Sequence, residues 1–381
     1  AQHALKLGRL QGQFDLAAFE RCVQEMHTTA VQVSKQPLFL ASAPTLIVKS
    51  DTLAACNYDC VPFIFYHTNR TGDWEVFRLD TAVDADLQPE DTEDINLTQA
   101  EGYTDMAPSR SPNAEWIAYT SNRDGNWEIY VARTDGSEQR RITHNQIATD
   151  TDPIWGPNNW IVYESTRDGN WELYILDVLT GEEYRLTENA ANDINATWAP
   201  SGDKLVFQSD RSGMWQLYEA NLRTGMIRLL SDGTGNDLDP QYATDGDAIL
   251  FRSYRGAAND KSVFYLMDMD GNIITQVSDE NGNATNASWS PDADIIAYQT
   301  DLNGDLDIYI YDVASTQTRQ LTDNDVDDYA PTWLCNSSHV IFTSEIDGDP
   351  NIYQADASVS WIAMSAFVRS MGSASKSNAS A

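Results

Sequence analysis

The stretch WIAYTSNRDGNWEIYVARTDGSEQRRIT, running from Trp116 to Thr143, decides the fold. Two short runs in it alternate in character, Ile117, Tyr119 and Ser121, then Trp127, Ile129 and Val131. A period of two rich in aromatic and β-branched residues predicts half-buried strands. Between them Arg123-Asp124-Gly125-Asn126 reads as a hairpin turn, with Gly125 free to adopt positive φ. Asp135-Gly136 makes a second turn, and Arg141-Ile142-Thr143 begins a third strand.

The unit recurs along the chain. The hairpin reappears as Ile64–Phe77, Ile117–Tyr130, Ile161–Tyr174, Leu205–Tyr218, Ile249–Tyr265, Ile296–Tyr309 and Ile341–Tyr353. A further short strand precedes each of the last six, marked by Pro or an aromatic residue. From Arg110 through Trp155, Trp198, Tyr242 and Trp289 to Trp333 the steps are 45, 43, 44, 47 and 44 residues. About four strands per period in the low forties is the mark of a β-propeller. One such unit cannot bury both faces of its sheet, so the units must pack radially against one another. The reading is an all-β, seven-bladed propeller of four-stranded blades over residues 45–358. A short irregular N-terminal extension (1–44) precedes it, and an apolar run with a Ser/Ala/Asn-rich tail (359–381) follows.

The pattern W-S-P-D-G…I-A-Y-x-S-x-R-D-G-N-x-E-I-Y…R-L-T resembles the TolB-type propeller repeats. The fullest copies are Trp155–Thr187, Trp198–Leu229 and Trp289–Thr322. Similar repeats occur in tricorn-like and prolyl-oligopeptidase-like proteins and in sugar lyases. The resemblance implies the propeller part only, since 44 residues are too few for the α/β domain that TolB carries ahead of it. The family's propeller has six blades, whereas seven hairpins here predict seven.

Charge bounds the partners. There are 58 acidic against 24 basic residues, a formal net of −34. Nucleic acid and anionic membranes need basic surfaces and are disfavoured. No run of 18 or more apolar residues predicts a membrane span. A start at Ala1-Gln2 suits an exported, mature product, so the expected location is secreted or periplasmic. Of the four cysteines, Cys56 and Cys60 flank a three-residue turn where a disulfide is plausible outside the cytoplasm.

Three residues before the Pro/Ala marker of each innermost strand stand Asp105, Asp150, Asp193, Asp237, Ala284 and Asp328, with Asp51 in the first blade. Equivalent positions of a propeller form a ring. Carboxylates crowded there repel unless a cation sits among them, and hard oxygen ligands favour Ca²⁺. Alternatively each Asp caps turn amides in its own blade. Asp301, Asn303, Asp305 and Asp307 resemble the start of a Ca²⁺ loop, but they align with an ordinary hairpin turn. Trp74, Trp127, Trp171 and Trp215 recur at one position and are expected to pack between blades rather than to form a ligand platform. Arg70, Arg123, Arg167, Arg211 and Arg255 recur likewise and are expected to tie turns to neighbouring carboxylates.

No G-x-S-x-G nucleophile motif occurs, and the five histidines are scattered. The expected function is a non-enzymatic, extracytoplasmic protein-interaction or structural module. The alternative is a metal-dependent polysaccharide-binding or lyase-type propeller. Blade seven lacks an R-L-T strand, which leaves an edge for Ala30–Val33, Leu38–Ala41 or Ser360–Phe367. Donated by a neighbouring copy, such a strand would drive self-association.

Overall fold

The computed structural model describes residues 63–80, 94–255, 261–335, 337–346, 348, 350–357 and 369–370. It is a seven-bladed propeller. Blade four shows the plan, with Asp193–Trp198 innermost, then Lys204–Ser209, Gln216–Asn221 and the outer Met226–Leu229, each antiparallel to the last. Blades two to seven all have four strands in this order. In blade one the described strands are Phe63–Thr68, Glu75–Asp80 and Asp94–Asn96. The innermost strand expected at Asp51–Cys56 lies outside the described residues. Among the described residues no helix is long and apolar enough to cross a membrane.

The hairpin pattern works because its two strands face aromatic rings across the ladder. Tyr119 pairs with Tyr130 in register, and the rings lie 5.8 Å apart. Every blade repeats this pair, from Tyr66–Phe77 at 5.7 Å to Phe342–Tyr353 at 6.2 Å. Each is worth about 1 kcal/mol beyond the area it buries. Gly125 turns the hairpin with φ 98°, where a side chain would be strained.

Seven apolar clusters hold the ring, one at each interface between blades. Leu173, Ile175, Trp198 and Phe207 join blades three and four. Tyr66, Phe77, Leu334, Ile341 and Ile352 join blade seven to blade one. The ring therefore closes through side-chain packing of the same kind at every interface. Packing is tight, since a Cβ on Gly156 would stand 2.3 Å from the indole of Trp198.

The edge expected to be open in blade seven is occupied. Arg369–Ser370 of the same chain pair antiparallel with Tyr353 and Gln354 as the fourth strand. The two residues lie within segment 359–381, just beyond the candidate Ser360–Phe367, which is outside the described residues. Ala30–Val33 and Leu38–Ala41 are outside them too. The pairing takes up Tyr353 and Gln354 of the edge strand Asn351–Asp356.

Candidate functional site

Innermost strands of neighbouring blades touch one another around the central channel. Each starts with the aspartate position singled out in the sequence, and the structure commits those carboxylates to their own blades. Asp105, Asp150, Asp193 and Asp237 are wholly buried. The arginine of the same blade's hairpin reaches each one: Arg123 to Asp105 at 2.8 Å, Arg167 to Asp150 at 3.0 Å, Arg211 to Asp193 at 2.8 Å and Arg255 to Asp237 at 2.6 Å. The same guanidinium donates through Nε to a serine, as Arg123 does to Ser121 at 2.9 Å. It also lies over the aromatic pair, with Arg167 4.1 Å from the Tyr174 ring. A guanidinium so placed supplies the positive charge that a ring of carboxylates would otherwise draw from a metal ion. Arg70 of blade one pairs instead with Asp94, and Asp51 lies outside the described residues.

Blades six and seven break the pattern. Blade six has lost both partners, with Ala284 in place of Asp and Leu302 in place of Arg. Blade seven keeps Asp328, wholly buried, but Ile346 stands where the arginine would be. Burial pushes the Asp328 carboxyl above the usual range, and Asn324 Nδ2 donates to it at 2.7 Å. Nearby, Asp307 is 2% exposed and accepts from Gln320 Nε2 at 2.7 Å and Thr322 Oγ1 at 3.2 Å. In blades two and three the equivalents Glu128 and Glu172 meet arginines, Arg141 and Arg185. With burial first and the Asp305 charge second, Asp307 is pushed up to about 7.

The rest of the hairpin motif serves the turn. Asp301 Oδ1 accepts from the Asn283 N–H at 2.6 Å, and Asn303 Nδ2 donates to Tyr309 Oη at 2.9 Å. Among the described residues no group of three or more His, Cys, Asp or Glu is arranged to hold a metal.

The residues that do line the channel sit two places further along the innermost strands. A one-residue bulge interrupts each described innermost ladder, as between Ile194 and Thr197. The residue inside it adopts positive φ in six blades: Ala107, Asp152, Asn195, Asp239, Asn286 and Ala330, all between 47° and 54°. Asp152, Asn195, Asp239 and Asn286 face a cavity of about 230 Å³ together with Glu164 and Gln241. Asn195 Nδ2 donates to Asp239 Oδ1 at 3.0 Å across two blades. Five of the six bulge N–H groups, those of Ala107, Asp152, Asn195, Asp239 and Ala330, are met by a side chain from the preceding blade. Glu164 accepts from Asn195 at 2.8 Å, Gln208 from Asp239 at 2.8 Å and Gln299 from Ala330 at 2.7 Å. Sequence reasoning missed this ring. Its trace is the Asn or Asp at four of the six positions, the side chains that best tolerate left-handed backbone.

At the hairpin end of the channel, the carbonyls of Trp74, Trp127, Trp171 and Trp215 accept the N–H groups of Asp105, Asp150, Asp193 and Asp237 at 2.8–2.9 Å. This stitches each blade to the start of the next. The four indoles, expected to pack between blades, are half-exposed and belong to none of the seven apolar clusters among the described residues. Cys56 and Cys60 lie outside the described residues, while Cys335 in blade seven is disulfide-bonded.

Among solved structures the chain is similar to the oligogalacturonate lyase of Vibrio parahaemolyticus, at 14% identity and a TM-score of 0.63, covering 84% of this chain and 92% of that one. An oligogalacturonate lyase in complex with manganese gives 13% identity and 0.64, covering 83% and 90%. The propeller domain of the Trilobed protease from Pyrococcus furiosus gives 13% and 0.55, covering 77% and 90%. At these identities the likeness shows the fold. No curated protein matches the sequence. The TolB beta propeller domain matches residues 159–259 and 253–380. With more than half of its length accounted for by that domain, and its blades built on the same repeat, the chain belongs to the TolB β-propeller family.

Proposed function

We propose that this propeller is an extracytoplasmic interaction module that works by presenting a surface and carries out no chemistry of its own. The observation that carries the reading is how its repeated polar groups are used. The aspartates of blades two to five are buried against arginines of their own blades, and the bulge amides are met by side chains of the preceding blade. These groups hold the ring together, which suits a rigid platform. A disulfide at Cys335 supports an oxidising compartment. The net charge of −34 supports a partner with a cationic surface.

The second reading is a metal-dependent glycan lyase or binder. The channel cavity with its carboxylate and amide lining favours it, as does the likeness in fold to oligogalacturonate lyases. Incubating the full chain with neutral and uronate oligosaccharides, with Mn²⁺, Ca²⁺ or chelator, separates the two. New unsaturated or reducing ends that vanish with chelator would overturn the interaction reading. Unchanged oligosaccharides, with a partner captured from the envelope or extracellular fraction at low salt, are the expected result.

A further inference from the structure

We propose that Trp74, Trp127, Trp171 and Trp215 form a binding arc for an extended, Lys/Arg-bearing peptide segment; this rests on the reading of the chain as an interaction module. The four indoles occupy one position in four consecutive blades, each at the end of a hairpin and bonded through its carbonyl to the next innermost strand. They therefore follow the rim of the channel on a single face. All are half-exposed, and none contributes to an apolar cluster among the described residues. Each indole is partly buried and keeps part of its surface open to water, and four such surfaces in register offer apolar area to a ligand. Among the described residues, only Trp74 of the four meets another ring, His67 edge-on at 5.3 Å.

The surroundings select the ligand's charge. The arginines of these hairpins turn inward onto Asp94, Asp105, Asp150 and Asp193. In the loops beside the indoles Glu101 is exposed, while Asp124 is paired with Arg141 at 3.1 Å and Glu188 with Arg185 at 3.8 Å. Loop 99–104 bridges the first two hairpins, since Gly102 N–H donates to Asp73 and Thr104 N–H to Asn122. Indole faces attract cations, and carboxylates beside them add to the attraction. Blade five ends the arc with Ser262 at the same position, its carbonyl accepting from the Ala284 N–H at 2.9 Å, and blade six has Leu306 there, so the platform covers only part of the rim. A ligand that touches four blades must be extended. An anionic polymer would be repelled by the protein's overall charge.

The test titrates the full chain with a synthetic Lys/Arg-rich peptide, its Glu counterpart of equal length, and a neutral glucose oligosaccharide, followed by calorimetry. The basic peptide alone should bind. Trp127→Ala with Trp171→Ala should weaken it at least tenfold, Trp127→Phe with Trp171→Phe should retain most of the affinity, and Leu306→Ala should leave it unchanged. Melting curves separate a folding defect from a binding defect, and the phenylalanine variants should melt with the parent. Equal affinity in the double alanine variant would reduce the binding to diffuse charge attraction and overturn the proposal. So would Trp-dependent binding of the oligosaccharide but not the peptide. Neither outcome touches the interaction reading, which fails only if the chain turns over a glycan.

Discussion

Asp307→Asn is the substitution that most directly tests the unpaired carboxylates of blades six and seven. Asp307 is buried without the arginine that meets its counterparts in blades two and three, and its carboxyl is pushed from 3.8 up to about 7. An acid whose native pKa lies above its unfolded value holds its proton more tightly when folded. Its favourable contribution is therefore complete at low pH and is lost as pH rises from about 4 through about 7. Each pH unit in that window is worth about 1.4 kcal/mol, which caps the loss near 4 kcal/mol. Adjustment of the partly exposed Asp305, and the acceptor lost on substitution, bring the expected gain for Asp307→Asn at pH 8 to about 1–3 kcal/mol. Urea unfolding of both proteins at pH 5 and pH 8 measures it. The parent should lose stability between the two values and the variant should lose less. A parent equally stable at both, or a variant less stable at pH 8, would refute the reasoning. Stabilisation of the parent but not the variant by millimolar Ca²⁺ at pH 8 would show a cation standing in for the missing arginine.

Arg211→Leu leaves Asp193 buried and unpaired and should cost about 3–5 kcal/mol, whereas Arg211→Leu with Asp193→Ala, which copies Leu302 and Ala284 of blade six, should cost clearly less by the same melts. Gly156→Ala should destabilise by about 1–3 kcal/mol, because the new methyl meets the Trp198 indole. Ending the chain after Ala357 removes the two-residue outer strand of blade seven and bares the edge at Tyr353 and Gln354, so light scattering should find the truncated chain more associated than the full one; an equal state of association would show that the apolar cluster between blades seven and one is enough to keep the ring closed.

The seven hairpins were legible because each is written in consecutive residues, and the aromatic alternation is itself the cross-strand pair, Tyr119 on Tyr130 or Phe342 on Tyr353. The tie between arginines and carboxylates was legible from shared spacing. The depth at which Asp105 or Asp193 sits was not, since it depends on how the next blade covers the strand. The channel ring escaped for a different reason. A single extra residue in each innermost strand shifts the alternation, so the side chain facing the channel is Asn195 and not Asp193. No period in the sequence marks that shift. Exposure of Trp127 and Trp171 was likewise hidden, because a hairpin tryptophan reads as core until the packing of neighbouring blades is known. The strand at Arg369–Ser370 is too short, and too poor in β-branched residues, to stand out from its tail.

The bulge amides have a mechanical consequence. Around the channel, five of the described bulges are joined to the preceding blade by single side chains reaching forward: His67 to Ala107, Thr120 to Asp152, Glu164 to Asn195, Gln208 to Asp239 and Gln299 to Ala330. These tethers differ in length: an imidazole in blade one, a hydroxyl on the β-carbon in blade two, and three-carbon arms in blades three, four and six. The wall of the bore is thus a hoop with links of unequal measure and, among the described residues, a gap between blades five and six, where Arg252 has no acceptor to offer; exchanging one link for a longer or shorter one is expected to change the opening on that side first.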